Sequence, residues 1–487
     1  MAIRIAGMAS GMDTDAMVQD LVKAYKTKGD KNTKTLKRAE LKQEKWKDLN
    51  KKIKSFTNKY VANMKFSSYY SSKKTTVSDP NKASVVTSDG AITGTQELEV
   101  NKLAKTAYLT GDELDKSVTS STKLETLAGK DVAGTEIKVN GQTITVGQDW
   151  TVGDFVGALK GAGLNANFDE NNHRIFVSAK KSGTKADFSF EGGDDIINAL
   201  KLSEDSGAKK IKGENAEILL NGAKFTSDSN TFSINGLTIT AKAETNGEKL
   251  SINTDNDYDA IYDKIKSFIK DYSSLINEIT GMLNAPANKG YDPLTDEEKE
   301  ALTESEVKKW EDKVNESLMR NDGNLSSISS MFRNSMLQTF DIDGKTYSLS
   351  SFGINTSNYF MVDADERNAF HIDGDPDDPE SSGNADKLKA AIAANPEAVT
   401  SFFTKLTSNL YDKIQAFTKS SDTKSYGSYY DDKQMKSDIS KYEKKVSDWD
   451  DYVKEIEDRY YKQFSKMESA MTKLNSQQNY VASMFGG

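Results

Sequence analysis

The chain has 487 residues, of which 36 % are hydrophobic and 29 % charged, with a formal net charge of −9, two histidines and no cysteine. This length predicts about three domains, and so low a hydrophobic share predicts that much of the mass is thin and surface-rich. Disulfides, thiol catalysis and thiolate metal sites are excluded, a histidine cluster has no basis in His173 and His371 alone, and the acidic balance argues against a dedicated nucleic-acid binder.

The opening MAIRIAGMASGMDTDAMVQ has one arginine, two aspartates and no continuous apolar core, so it does not read as an ordinary secretory signal. After a flexible lead-in with Gly7 and Gly11, a helix is expected to start at Asp13 or Thr14, with Met17, Leu21 and Val22 on one face. The polar run KTKGDKNTKT at residues 26–35 carries Gly29 and predicts a break or frayed linker. Apolar residues then recur at three-four spacing at Trp46, Leu49, Ile53, Phe56 and Tyr60. The lysines of residues 23–65 alternate with this seam, so they read as the exposed side of a bundle rather than a surface for nucleic acid or acidic lipid.

Near Thr75 the character changes. Between there and residue 255 lie 19 of the 32 glycines, and short alternating runs replace the helical spacing: Ser84 to Thr87, Glu97 to Leu103, Glu136 to Val146, His173 to Val177, Ile218 to Phe225 and Phe232 to Thr240. Asn140-Gly141, Asn221-Gly222 and Asn235-Gly236 each predict a hairpin, because Asn-Gly tolerates positive φ at both central turn positions. One helix is expected at Trp150 to Leu159, with Thr151 as a cap. The region reads as two β-rich modules, the outer at 110–212 inserted into the inner.

Helix returns at Asp257, with Ile261, Ile265, Phe268, Tyr272, Ile276 and Ile279 on one face. Further helices are expected after Pro293, at Leu325 to Phe340, from Ala385 and from Pro396 to Phe417, with a β-like strip at Lys345 to Ile354. The acidic loop 363–378 fails as an EF-hand in both registers: one puts Arg367 on a ligand position and Asn368 where glycine is needed, the other puts Asp378 on the glycine position and Asn384 at the closing glutamate. It reads as a solvated turn. Tyr429 and Tyr430 are expected at the start of the last helix. From Met435 to Phe485 the large side chains alternate by four and three, with a stutter between Tyr460 and Phe464 and no glycine or proline. About fifty residues at 1.5 Å each make a rod of roughly 75 Å, too long for the inside of a compact domain. The two termini are expected to pack together as a stalk.

Several motifs, in this order along the chain, resemble the flagellar hook-associated protein 2 family, the filament cap of the bacterial flagellum. They are GMASGMDTDAMVQDLV with Gly7, Ser10, Gly11, Asp13, Thr14, Val18 and Leu21; residues 229–279; residues 293–314; SLSSFGIN at 348–355; and MESAMTKLNSQQNYVASMF at 467–485. Residues 136–190 are similar to an insert also found in flagellins. The fold class expected is multidomain α+β, a terminal coiled-coil or helical-bundle stalk with inserted antiparallel β-rich head domains. The parts expected are 1–45 with 460–487, mobile in the monomer; 46–74 with 256–459; 75–109 with 213–255; and 110–212.

The resemblance implies a secreted, extracellular, non-enzymatic homo-oligomer at the distal filament tip, a ring of about four to six copies with five favoured. It implies flagellin, hook–filament junction proteins and an export chaperone as partners, and no cofactor, metal, nucleic acid or membrane span. Met17, Leu21, Met467, Met471, Leu474, Val481 and Phe485 are the candidate interface residues, because each is worth burying only when a neighbouring subunit covers it. The alternative is a stalked extracellular adhesin whose head binds a host surface ligand; it is expected to need a secretory signal or an anchor. No GxSxG, HExxH, P-loop or GxGxxG stands in a suitable context for an enzyme.

Overall fold

A computed structural model of the chain describes residues 11–88, 90–357, 362–364 and 366–486, and only the backbone of Phe485. Gly7 and Ser10 of the N-terminal motif therefore lie outside the described residues. The chain divides into a helical unit, Met1–Tyr70 with Tyr258–Gly487, and a β-rich unit, Ser71–Asp257. The class is α+β, with helices from both ends of the chain and antiparallel sheets between them.

In the helical unit one hydrophobic core gathers Trp46, Leu49, Ile53 and Phe56 of the N-terminal helix with Ile265, Phe268 and Tyr272 of the Tyr258–Asn284 helix, Phe332 of Gly323–Met336 and Phe402 of Pro396–Phe417. The six-residue apolar face expected after Asp257 is wholly buried. Three helix starts are capped by side chains: the Asp13 carboxylate accepts from Ala16 N–H at 2.9 Å, Asp322 from Leu325 N–H at 3.1 Å and Asn395 from Ala398 N–H at 3.0 Å, so one orphan donor of each of these first turns is satisfied. Tyr430 stacks on Trp46, centroids 5.2 Å apart, and so ties the start of the Asp432–Phe485 helix to this core.

The expected break at 26–35 is absent: Thr14–Phe56 is one helix. Its register shifts only at Thr57–Val61, a π turn in which the Thr57 hydroxyl donates to Ile53 O at 2.8 Å and meets the Tyr429 hydroxyl at 3.1 Å.

The β-rich unit has two separate apolar cores. One joins Ala83, Leu98, Val100, Ile218, Ile239 and Ile252; the other draws only on residues 107–208, among them Phe155, Leu159, Ile175 and Val177. The first lies between a five-stranded sheet, ordered Lys73–Val77, Leu250–Asn256, Gly94–Lys102, Ala216–Leu220, Ala223–Ser227, and a three-stranded one, Thr231–Ile234, Leu237–Ala241, Ala83–Thr87. The second packs the Val152–Gly161 helix, closed by a Thr151–Asp154 capping box, on a four-stranded sheet. All three Asn-Gly hairpins form with φ of 52° and 72°, 51° and 78°, and 47° and 79°. A fourth two-residue hairpin, Asp343-Gly344 between Ile342 and Lys345, was marked by an equally good dipeptide that the strand reading above passed over.

Candidate assembly interface

The N-terminal and C-terminal helices run antiparallel: Tyr25 meets Tyr452 edge to face at 6.2 Å, Gly29 lies against Trp449, and Trp46 against Tyr430. Their shared seam buries Val18, Val22, Val453 and Ile456, flanked by Tyr25, Trp449, Tyr460, Tyr461 and Phe464. The upper part of the C-terminal helix therefore packs on the N-terminal helix, not in the bundle core, which takes only Met435 from it as a partly buried neighbour.

The reason residues 26–35 stay helical is visible at Gly29. A Cβ there would stand 2.5 Å from Trp449 Cδ1, and the indole fills the space the missing side chain leaves. Trp449 Nε1 donates to Tyr25 O at 3.0 Å, adding a cross-helix hydrogen bond on top of the contact. Nearby, the Tyr460 hydroxyl is raised above its ordinary pKa, chiefly by its hydrogen bond with Tyr25.

The polar middle of the N-terminal helix, around residues 34–38, is gripped by charge from the segment 291–298. Lys34 pairs with Glu298 at 2.6 Å, Lys37 with Asp296 at 3.7 Å and Arg38 with Asp292 at 3.5 Å, while Lys37 and Arg38 also donate to Leu294 O and Tyr291 O at 3.3 Å. Glu298 has a second task, accepting from Thr295 N–H at 2.9 Å to close the capping box of Asp296–Glu300. Burial works to raise its carboxyl, but the Lys34 ammonium and the Thr295 N–H outweigh that and hold it below the usual glutamate range.

Of the face expected at Met17, Leu21 and Val22, only Val22 joins the buried seam, together with Val18. Val18 and Val22 are buried, whereas Met17 and Leu21 stand 40 % and 43 % exposed. At the other end Met467 and Met471 are half-buried, Leu474 and Val481 are exposed, and the side chain of Phe485 lies outside the described residues. Tyr480 and Met484, which the heptad reading passed over, add to this exposed apolar surface at 62 % and 63 %.

The acidic loop is met by groups from outside it and by its own histidine. Lys266 Nζ bridges Asp375 and Asp377 at 2.6 and 2.7 Å, Asn384 donates to Asp373 at 2.8 Å, and His371 Nδ1 lies 2.7 Å from Asp378. Among the described residues no group of three or more His, Asp or Glu could hold a metal ion, and no helix is long and apolar enough to cross a membrane.

A paired helical region formed from both ends of one chain, with β-rich modules inserted between, defines a multidomain α+β protein. The family comparison makes that specific. Residues 10–107 match the family model for the flagellar hook-associated protein 2 N-terminus and residues 213–476 that for its C-terminus, so the chain belongs to the flagellar hook-associated protein 2 family. The flagellar hook-associated protein 2 of Halalkalibacterium halodurans is 23 % identical, covering 98 % of this chain and 98 % of its own length; that of Thermotoga maritima is also 23 % identical, over 75 % of this chain and 57 % of its own. Among solved structures, the D1-D2-D3 domains of the flagellar cap protein FliD from Escherichia coli align at 17 % identity with a TM-score of 0.47, over 74 % of this chain and 95 % of that one.

Proposed function

We propose that this protein caps the distal tip of the flagellar filament as an extracellular homo-oligomer and promotes folding and insertion of exported flagellin subunits, so that they are not lost. The observation that carries the reading is the family match over residues 10–107 and 213–476, together with the exposed Leu474, Tyr480, Val481 and Met484 at the end of the last helix. Met17, Leu21, Met467, Met471, Leu474, Val481 and Phe485 are the residues proposed to be covered by neighbouring subunits at the filament end. A ring of four to six copies, with five favoured, is part of the proposal, as are hook–filament junction proteins and an export chaperone as partners in transit. The protein performs this task by surface and shape, with no catalytic step and no cofactor. The division proposed is functional: 1–45 with 460–487 as the inserted ends, 46–74 with 256–459 as the base, 75–109 with 213–255 as the inner head and 110–212 as the outer head. No observation favours the adhesin alternative.

The test is a cell carrying only a chain that stops after Ser465. Filaments should fail to extend and flagellin should accumulate in the medium, while the secreted truncated protein keeps its fold. Normal filament growth in such cells would remove the reading.

A further inference from the structure

The Gly323–Met336 helix of the bundle has two unlike faces. Leu325, Ile328, Phe332 and Met336 enter the hydrophobic core, whereas Ser326, Ser329, Ser330 and Arg333, three and four residues apart, line a cavity of about 660 Å³. A serine inside a helix commonly satisfies its hydroxyl on the carbonyl four residues back, as Ser327 does on Gly323 O at 2.9 Å and Ser335 on Met331 O at 2.7 Å. Ser329 is different. It is only 7 % exposed, and among the described residues its hydroxyl has no hydrogen-bond partner, a costly state for a buried polar group. The same cavity is cationic in a chain of net charge −9: two of the seven arginines, Arg333 and Arg367, line it, and among the described residues no carboxylate does. Asp363 and Glu366, near Arg367 in sequence, are exposed and stand outside the lining. Arg38 and Arg174 are paired with carboxylates and Arg320 donates to Ala285 O, but Arg333 has neither an ion pair nor a hydrogen bond among the described residues. Leu283, Leu337 and Phe370 give the cavity an apolar wall.

We propose that this cavity binds an organic carboxylate carried on an apolar body. The planar guanidinium of Arg333 matches the two oxygens of a carboxylate, and a charge-assisted pair of this kind is the strongest hydrogen bonding a side chain offers. Ser329, one turn before Arg333, supplies the hydroxyl donor that the fold leaves unused, and the apolar wall covers the rest of the ligand. Size selects against a bare mineral anion. The volume falls within the range of about 300–1,000 Å³ usual for small-molecule sites, and an ion such as phosphate would leave Leu283, Leu337 and Phe370 uncovered. A free carboxylic acid and the side-chain carboxylate of a peptide share this chemistry. The site goes beyond the cap reading and does not depend on it.

The experiment is isothermal titration calorimetry on the full-length protein at about 50 and 500 mM salt, with four probes: N-acetylphenylalanine, its uncharged amide, a blocked Phe-Glu-Ala peptide and inorganic phosphate. At least one of the two carboxylate probes should bind saturably, and the tighter of them tells whether a free acid or a peptide fits better. The amide should bind at least about tenfold more weakly than the acid, and the carboxylate probes should weaken at the higher salt. Three variants locate the site, each checked by circular dichroism and melting. Arg333→Ala, at an exposed position, should weaken the carboxylate probe by about tenfold or more; Arg333→Lys should regain part of that loss, because it keeps the charge without the fork. Ser330→Leu, which fills the cavity and leaves every charge in place, should abolish binding. Four results would each overturn the proposal: no saturable binding of either carboxylate probe, equal binding of acid and amide, phosphate binding tighter than both carboxylates, or binding unchanged in a folded Arg333→Ala protein. None of them bears on the cap reading, whose own test is filament growth.

Discussion

Gly29 shows how one missing methyl can set the sign of a substitution. In an uncovered helix Gly→Ala raises stability by about 1 kcal/mol, because glycine loses more backbone freedom on folding. Here the added Cβ would meet the Trp449 ring at 2.5 Å, and the indole cannot move without giving up its bond to Tyr25 O. Gly29→Ala is therefore expected to lower the melting temperature and to move Trp449 fluorescence toward that of a solvated indole; a higher melting temperature would show that the contact does not hold the helices. Trp449→Phe keeps most of the ring and loses the hydrogen bond, at a cost of about 0.5–1.5 kcal/mol in denaturant unfolding. Next to Gly29, the Asp30 carboxyl is raised by its burial, with Glu297 and Glu298 adding repulsion. A raised carboxyl pKa favours the fold at acid pH and is a burden once the group ionises, so Asp30→Asn should raise the melting temperature at pH 7, and the gain should fade below about pH 4.

The clasp at 291–298 holds a helix by charge where the sequence offers it little to bury. Glu298 joins the cap of its own short helix to Lys34 of another, so a single change should loosen both. With a carboxyl held below its ordinary pKa, this stabilisation is present above the unfolded value near pH 4.3 and is lost as pH falls through the folded one. Limited proteolysis within residues 286–303 should accelerate in Glu298→Ala at pH 7, and in the unaltered protein below about pH 4; equal cleavage rates at both pH values would refute the clasp. Such cross-connections explain what could and could not be read from the chain alone. The Asn-Gly hairpins, the Thr151 cap and the Ile261–Ile279 face were legible because a dipeptide, a hydroxyl or a helical period fixes each of them locally. Strands Lys73–Val77 and Leu164–Asp169 went unread because both lie at sheet edges and are largely polar. The false break at 26–35 has another cause: what compensates Gly29 is a tryptophan some 420 positions away, and no local pattern carries that information. Of the face expected at Met17, Leu21 and Val22 only Val22 is buried within the chain, with Val18 beside it, since neighbouring apolar positions leave the helical phase open.

Taken whole, the molecule distributes its buried apolar contacts unevenly. The bundle core holds the fully buried Trp46, Tyr272, Phe268, Phe332 and Phe402, whereas the terminal seam has four buried aliphatic residues and the last turns of the C-terminal helix bury none of Leu474, Tyr480, Val481 or Met484. A helix with nothing on its apolar side is marginal in water, because nucleation is costly and only tertiary packing repays it. Native-state hydrogen exchange on the monomer should therefore fall into tiers: amides of Leu49–Phe56 and Ile265–Ile276 exchanging only through global unfolding, those of residues 18–25 and 449–460 through a cheaper opening of the helix pair, and those of 474–484 nearly as fast as an unstructured chain. The β-rich unit has its own cores, so residues 71–257 expressed alone should give a cooperative melt, and random-coil circular dichroism from that fragment would deny its independence. Assembly should act on the tiers in order of weakness, since a neighbour can add most where least is buried. In isolated filament tips the amides of 474–484 should gain protection by orders of magnitude while those of the bundle core stay unchanged; protection of 474–484 already present in the monomer would mean that the last helix needs no partner, and that its exposed side chains serve something other than assembly.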